Sequence, residues 1–277
     1  VAEPRAPRSG LRTAGTYARR LVVVAYLALL VAWPVGMVAK QTFGHGLESL
    51  RVAFGDHVVT HSLVLTAEVA VLAVLVNLVF GVGISLLLVR YRFRGRRLLS
   101  TLVDLPLSVS PIVVGLALVL VYGGRDGWFG PALEGHGVKV IFATPGILLA
   151  TVFVSLPLVV REVVPVLEEI GVEQEQAARS LGASAAQTFR RITLPSIRWA
   201  VVYGVVLSLA RSLGEYGAVK VVSGNIVGQT QTATLVVEQS YNDFQQSTAY
   251  ASAFLLAAAS IVCIAVVALV RPKERVT

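Results

Sequence analysis

The chain has 277 residues, of which 55% are hydrophobic and only 14% charged, with mean hydropathy +0.74. A soluble domain carries about 25% charge, so the composition points to lipid. The net charge of +8 does not indicate nucleic acid, because Lys and Arg cluster at the ends of apolar runs. Cys263 stands alone, which excludes an intrachain disulfide and a cysteine metal cluster.

Each crossing of about 30 Å of hydrocarbon needs about 20 apolar residues. Six runs qualify: 21–39, 62–89, 105–122, 144–164, 199–222 and 248–270. They predict an all-α polytopic membrane protein in three parts: an N-terminal tail over 1–20, a six-helix domain over 21–270 and a C-terminal tail over 271–277. A basic tail before an apolar run can be a cleaved signal peptide, whose apolar core is typically about 7–15 residues. Here the run is longer and no small-x-small site follows, so it reads as a retained first span.

The second run exceeds one crossing and can tilt or project. It contains Glu68 and Asn77, whose plainer reading is an interhelical hydrogen bond. Gly81-Val82-Gly83 in the same run reads as helix packing. Ser108, Ser110 and Pro111 open the third helix, where hydroxyls and freed backbone N–H groups can offer an anion soft contacts. Thr144-Pro145 reads as an N-cap followed by proline at the first helical position, and Pro157 should kink that fourth helix.

Lys and Arg set the orientation. The N-terminal tail holds Arg5, Arg8, Arg12, Arg19 and Arg20, and the second connection Arg90, Arg92, Arg94, Arg96 and Arg97. The fourth connection contributes Arg161, Arg179, Arg190, Arg191 and Arg198, and the C-terminal tail Arg271, Lys273 and Arg275. The opposite side has Lys40, Arg51, Arg125, Lys139 and Lys220. Both termini and the fourth connection are therefore expected in the cytoplasm. Trp128, Phe129, Tyr241 and Phe244 fall in the outer connections, where aromatics serve as interfacial anchors. His45, His57, His61 and His136 lie on the outer side or its edge; no acidic partner separates His57 from His61, and no metal site is expected.

The fourth connection, 165–198, is polar. Glu173 to Leu181 can form two helical turns, with acidic residues where the helix dipole favours them. Ala177 and Ala178 give a small-residue surface, and Leu181 adds an apolar contact. Gly182 can take the left-handed conformation that ends a helix. Ser184 with Gln187 makes a capping box for a second helix from about Ala185. That helix carries Phe189 and Ile192 on one face, and Pro195 marks its end. The plainer reading is an amphipathic helix resting on headgroups, which Arg190, Arg191 and Arg198 would suit.

The spacing is more specific than that. Ala177-Ala178, three residues, Gly182, nine residues, then Ile192-x-Leu194-Pro195 resembles the EAA-x3-G-x9-I-x-LP coupling loop of ATP-binding-cassette (ABC) importer permeases. The resemblance implies a type I importer permease fold: a leading helix and a five-helix core. It also implies that the loop docks on a nucleotide-binding subunit, through Glu173, Glu175, Gln176, Ala177, Ala178, Leu181, Gly182, Ala183, Ile192, Leu194 and Pro195. Gln176 replaces the glutamate of the family motif, and Glu175 or Glu173 can take over its charge, or a neutral hydrogen bond can replace it.

Further segments narrow the resemblance. Arg211-Ser212-Leu213-Gly214-Glu215-Tyr216-Gly217-Ala218 is similar to the RxxGEFGA stretch of sulfate and molybdate permeases. The runs that follow, with 105–118, are similar to W-type (CysW-type) sulfate/thiosulfate permeases over roughly 60–270. The implied protein is a non-catalytic subunit of a bacterial inner-membrane importer. Its implied partners are a cytoplasmic ATPase dimer that hydrolyses ATP with Mg, a second homologous permease and an extracytoplasmic sulfate-binding protein. The permease itself would bind no cofactor. A molybdate or tungstate importer is the alternative.

Arg211 and Glu215 lie four apart, so they are expected on one helix face. A charge at the bilayer centre costs about 2.5–3.5 kcal/mol on insertion scales, which disfavours a lipid-facing position. Either the two pair and hold the bundle together, or Arg211 lines the pathway for a dianion. An ion-gradient-driven transporter would instead use Glu68, Asp104 or Glu215 as a proton carrier. The sequence contains no G-x-x-x-x-G-K-[ST], no H-E-x-x-H and no matched serine or aspartate pair for an intramembrane hydrolase.

Overall fold

The computed structural model describes residues 9–44 and 46–270. The tail arginines Arg5 and Arg8, His45, and Arg271, Lys273 and Arg275 lie outside these residues. All elements among the described residues are helical.

The chain opens with α1 (Ser9–Leu27), a π-helical turn (Ala28–Ala32) and α2 (Trp33–Phe43). The turn ends with Trp33 N–H donating to the Ala28 carbonyl, one residue before Pro34, whose ring can supply no N–H. None of the most apolar stretch of this leading helix is buried. Its end docks on the last helix, α14 (Gln246–Val270). There Thr42 Oγ1 donates to the Tyr250 carbonyl at 3.0 Å, and Phe43 meets Phe254 edge-to-face at 5.0 Å.

After α3 (Glu48–Gly55) comes α4 (His57–Arg90), 34 residues capped by Asp56, which accepts from Val58 N–H at 2.8 Å. At 1.5 Å per residue it is about 50 Å long, well beyond the roughly 30 Å of hydrocarbon that one crossing needs.

The third run is not one straight span. α5 (Arg96–Ser108) and α6 (Pro111–Tyr122) meet at 116°. Val109 and Ser110 both leave the helical region (ψ 141° and 133°), Ser110 because a residue before proline is pushed out of it, while Pro111 suits the first helical position of α6. Ser108 and Ser110 therefore lie at a bend, with only Pro111 inside the second half.

The short α7 (Gly130–Gly135) leads to α8 (Thr144–Glu169), the central helix. Ala143 rather than Thr144 is its N-cap, so the helix starts one residue earlier than the Thr-Pro signal implied. The charged connection folds as α9 (Glu173–Ser180), α10 (Ala185–Thr188) and a second π-helical turn (Phe189–Thr193), continuing without interruption into α11 (Leu194–Leu213). Pro195 therefore does not end the second coupling helix. As at Pro34, the ladder has shifted to a longer bond just before the proline, Leu194 N–H to the Phe189 carbonyl, and the helix passes through.

The fifth run also breaks. α11 stops at Leu213, Gly214 to Tyr216 leave the helix, and α12 (Gly217–Ser223) resumes before α13 (Ala233–Asn242) and α14. Among the described residues, five helices are long and apolar enough to cross a membrane, and the bent α5–α6 pair can make a sixth.

Packing centres on α8 between α4 and α11. A Cβ added at Gly81 would lie 2.7 Å from Val159 Cγ1, and one at Gly204 would lie 2.8 Å from Val159 Cα. These two glycines let three helices meet around one valine. Val82, Val159, Val163, Leu167, Ile197 and Ala200 continue that core toward α9. Deeper in the bundle, fully buried Asn77 donates to Ser155 Oγ at 2.8 Å and Ser208 Oγ at 3.3 Å, and Ser212 Oγ donates to Ser155 Oγ at 3.3 Å. Side chains from α4, α8 and α11 are joined there, which makes Asn77 an interhelical hydrogen-bonding residue, as read.

Candidate coupling site and intramembrane charges

The α9–α10 segment closes as its residues dictate. Ala183 N–H donates to the Ala178 carbonyl and Gly182 N–H to the Arg179 carbonyl, both at 3.0 Å. This is a Schellman termination with Gly182 in the left-handed region at φ 87°. Ser184 then starts α10 with a complete capping box. Gln187 N–H donates to Ser184 Oγ at 3.3 Å, and Ser184 N–H donates to Gln187 Oε1 at 2.9 Å. Phe189 packs onto the core around Val159 and Leu167 and anchors the segment to the bundle.

Most of the predicted docking residues face outward. Glu173, Gln176, Ala177, Gly182, Leu194 and Pro195 are exposed, and Ala178, Ala183 and Ile192 are half-buried. Leu181 is 90% exposed, an apolar side chain held fully in the open at the end of α9.

Glu175 does the opposite. It is 7% exposed and points into the bundle. Arg90, the last residue of α4, donates its Nε to Glu175 Oε2 at 3.1 Å and Oε1 at 3.2 Å. The same guanidinium donates Nη1 to the Leu167 carbonyl at 3.0 Å and Nη2 to the Gly171 carbonyl at 2.8 Å. Thr193 Oγ1 donates to Glu175 Oε1 at 2.9 Å. Glu175 is thus committed inside the chain, and of the two glutamates only Glu173 remains on the outer face beside Gln176. Sequence reasoning missed Arg90 and Thr193 here. Arg90 served only as a topology marker, and no local spacing connects it to a carboxylate 85 positions away.

Arg211 and Glu215 do pair, Nη1 to Oε2 at 2.8 Å, although not on one unbroken helix. Arg211 lies in the last turn of α11, and Glu215 sits in the break, its side chain 2% exposed against 38% for Arg211. Glu215 Oε1 also accepts from Ala218 N–H at 3.0 Å, and Thr234 Oγ1 donates to the Glu215 carbonyl at 2.9 Å. One carboxylate therefore bridges both halves of a broken helix, and α13 holds its backbone. The two breaks are neighbours, because a Cβ at Gly217 would lie 2.9 Å from Pro111 Cβ. Ser108 and Ser110 are exposed at the α5–α6 bend.

The remaining candidates separate. Glu68 is exposed on α4, and Asp104 pairs with Arg161 at 2.9 Å. Lys220 pairs with Glu238 and also donates to Tyr216 Oη at 2.9 Å. His57 and His61 stack at 6.2 Å, and no cluster of three metal-ligating side chains occurs among the described residues. At the end opposite α9, a cavity of about 570 Å³ is lined in part by Arg125, Asp126, Glu134, Lys139 and Phe142. Trp128 and Phe244 are 84% and 87% exposed.

Residues 77–276 match the family described as binding-protein-dependent transport system inner membrane component. A sulfate transport system permease protein, CysW, of Synechococcus elongatus is 46% identical over 252 residues, 91% of this chain and 88% of the relative. A protein of the same description from Escherichia coli K12 is 43% identical over 87% of this chain and 82% of its own length. Among solved structures, a chain of a bacterial ABC transporter that imports the acidic polysaccharide alginate superposes with TM-score 0.76 at 17% identity, covering 96% of this chain and 97% of that one. That likeness carries the fold alone.

Proposed function

This chain belongs to the family of binding-protein-dependent transport system inner membrane components, and on that premise we propose that it is the permease subunit of an ATP-driven importer for sulfate or thiosulfate. It forms half of the translocation pathway and pairs with a homologous permease in the bacterial cytoplasmic membrane. The tails 1–20 and 271–277 and the loop 165–198 face the cytoplasm, where the excess of Lys and Arg would hold them. The choice of anion rests on sulfate-permease relatives at 43–46% identity over most of the chain.

The observation that carries the coupling role is Leu181. A membrane-embedded chain holds this leucine 90% exposed beside a left-handed glycine, between two helices capped at the turn. An apolar side chain so fixed is suited to a hydrophobic groove on another protein. That partner is a cytoplasmic ATPase, present in two copies, which binds ATP with Mg. ATP binding draws the two coupling loops together and opens the pathway outward to a loaded sulfate-binding protein; hydrolysis lets it open inward. The outer cavity and the exposed Trp128 and Phe244 offer surface to that binding protein. This chain contributes wall and lever, and no bond-making chemistry.

Arg211, held by Glu215, is a structural tie first. Its 38% exposure leaves room for contact with a passing anion, and Ser108 and Ser110 are exposed at the neighbouring bend. A transit site must release its ion, and pairing tempers an otherwise strongly binding arginine. Labelled sulfate uptake, in cells lacking their own sulfate permease and supplied with this chain and its partner subunits, tests the proposal. Thiosulfate should compete and molybdate should not. Competition mainly by molybdate would move the chain to the molybdate branch.

A further inference from the structure

We propose that Arg90 is the mechanical joint that carries motion of the coupling segment into the membrane spans. The inference rests on the coupling role proposed above and adds to it the residues that transmit the force.

One guanidinium gathers three separate elements. It leaves the end of α4, takes the Leu167 carbonyl in the last turn of α8 and the Gly171 carbonyl just beyond, and grips Glu175 in α9. Leu167 lies in the last turn of α8, where carbonyls lack a partner within the helix, and Gly171 lies in the link between α8 and α9. The grip on Glu175 completes a fork that lysine, a point charge, cannot reproduce. Thr193 then adds a fourth element. It projects from the π-helical turn that leads into α11 and donates to the same Glu175 oxygen. Through this cluster α9 is tied to α4, α8 and α11 at once.

Burial makes the cluster stiff. The Arg90 and Glu175 side chains are 10% and 9% exposed, so water does not compete for these bonds. An ion pair in this position is weak evidence for stability, because burying two charges costs most of what their attraction returns. Its geometry suits position instead: α4, α9 and the turn into α11 meet at one carboxylate, the same guanidinium holds α8, and Ala177, Leu181 and Gly182 of the segment stay exposed. A partner pressing on that face moves α9, and α9 cannot move without α4, α8 and α11.

Arg90→Lys and Thr193→Val test this in the assembled complex, with Glu175→Gln as a third variant. The expected result for Arg90→Lys is a fall in sulfate taken up per ATP hydrolysed of about 2- to 30-fold, the range for coupling networks, with association of the ATPase unchanged. Thr193→Val, which keeps shape and removes one bond, should give a smaller loss in the same direction. Spin labels at Ser180 and Leu87, in a Cys263→Ser background, report the joint itself without nucleotide. Their distance distribution should be narrow in the otherwise native chain and broadened by Arg90→Lys and Glu175→Gln. Unchanged uptake per ATP with unchanged label distances would overturn the inference. Failure of the native complex to couple ATP to uptake would overturn the proposed function, and the label distances would still decide whether Arg90 fixes α9 to α4.

Discussion

Replacing Gly182 by aspartate separates the loop's own geometry from its docking surface. A Cβ built at Gly182 meets nothing within 4 Å, so no side chain there clashes inside the chain. The internal cost is conformational, because φ is 87°. An ordinary L-residue in the left-handed region costs about 1–2 kcal/mol, and aspartate, which visits it more readily, costs less. At most, then, the loop's ordered population falls by about 5- to 30-fold. Alanine carries the larger backbone cost with the smaller side chain, and aspartate the reverse. If an ATPase groove closes over Gly182, Gly182→Asp should weaken association by more than about 30-fold, beyond the backbone ceiling, and Gly182→Ala by less. Titration of the ATPase onto the detergent-solubilised permease pair reads both, with membrane insertion checked separately. An aspartate variant that binds the ATPase as tightly as the native chain would refute the docking argument. Alanine weaker than aspartate would assign the effect to the backbone.

Three further outcomes are expected. Leu181→Ala removes three carbons from a side chain that docking would bury, about 2 kcal/mol at about 0.8 kcal/mol each, and should weaken ATPase association about 30-fold while the midpoint of thermal unfolding of the isolated permease stays put. Gly204→Ala places a methyl 2.8 Å from Val159 Cα, so α11 must move away from α8; overpacking of about 1–3 kcal/mol should lower that midpoint, and an unchanged midpoint would contradict the close approach. Arg211→Ala strands the buried Glu215 carboxylate, which keeps only the Ala218 N–H, and because the Arg211 side is 38% exposed the cost falls below the about 3–5 kcal/mol of a fully buried pair. Glu215→Gln leaves instead the half-exposed Arg211, so Arg211→Ala should give the lower yield of assembled complex, and the opposite order would contradict the pairing.

The sequence carried the local chemistry of the loop to the residue. Gly182, Ser184 and Gln187 act through neighbours three to five positions away, and those rules need no tertiary context. The broken helices were hidden for the converse reason. Apolar residues flank both breaks, so a run drawn across them could not reveal that the chain turns at Ser110 and leaves the helix at Gly214. Pro111 marked the first break, and reading it as the start of a single span missed α5 before it. Pro195 misled because a proline predicts an end, whereas a preceding π-helical turn absorbs its missing N–H. The Arg211–Glu215 pair survived a wrong premise, since the break still leaves the two within reach. Arg90 and Glu175 could not be joined from spacing at all, and their contact exists only because α4 and α9 reach the same end of the bundle.

The most direct test of the central claim is labelled sulfate uptake into proteoliposomes that hold this chain with its partner permease and ATPase, with the binding protein outside and ATP trapped within. Uptake that requires ATP and the binding protein, persists when proton and sodium gradients are collapsed, and is abolished by Gly182→Asp is the predicted result. Uptake driven by an ion gradient without ATP, or indifferent to the coupling loop, would contradict the account.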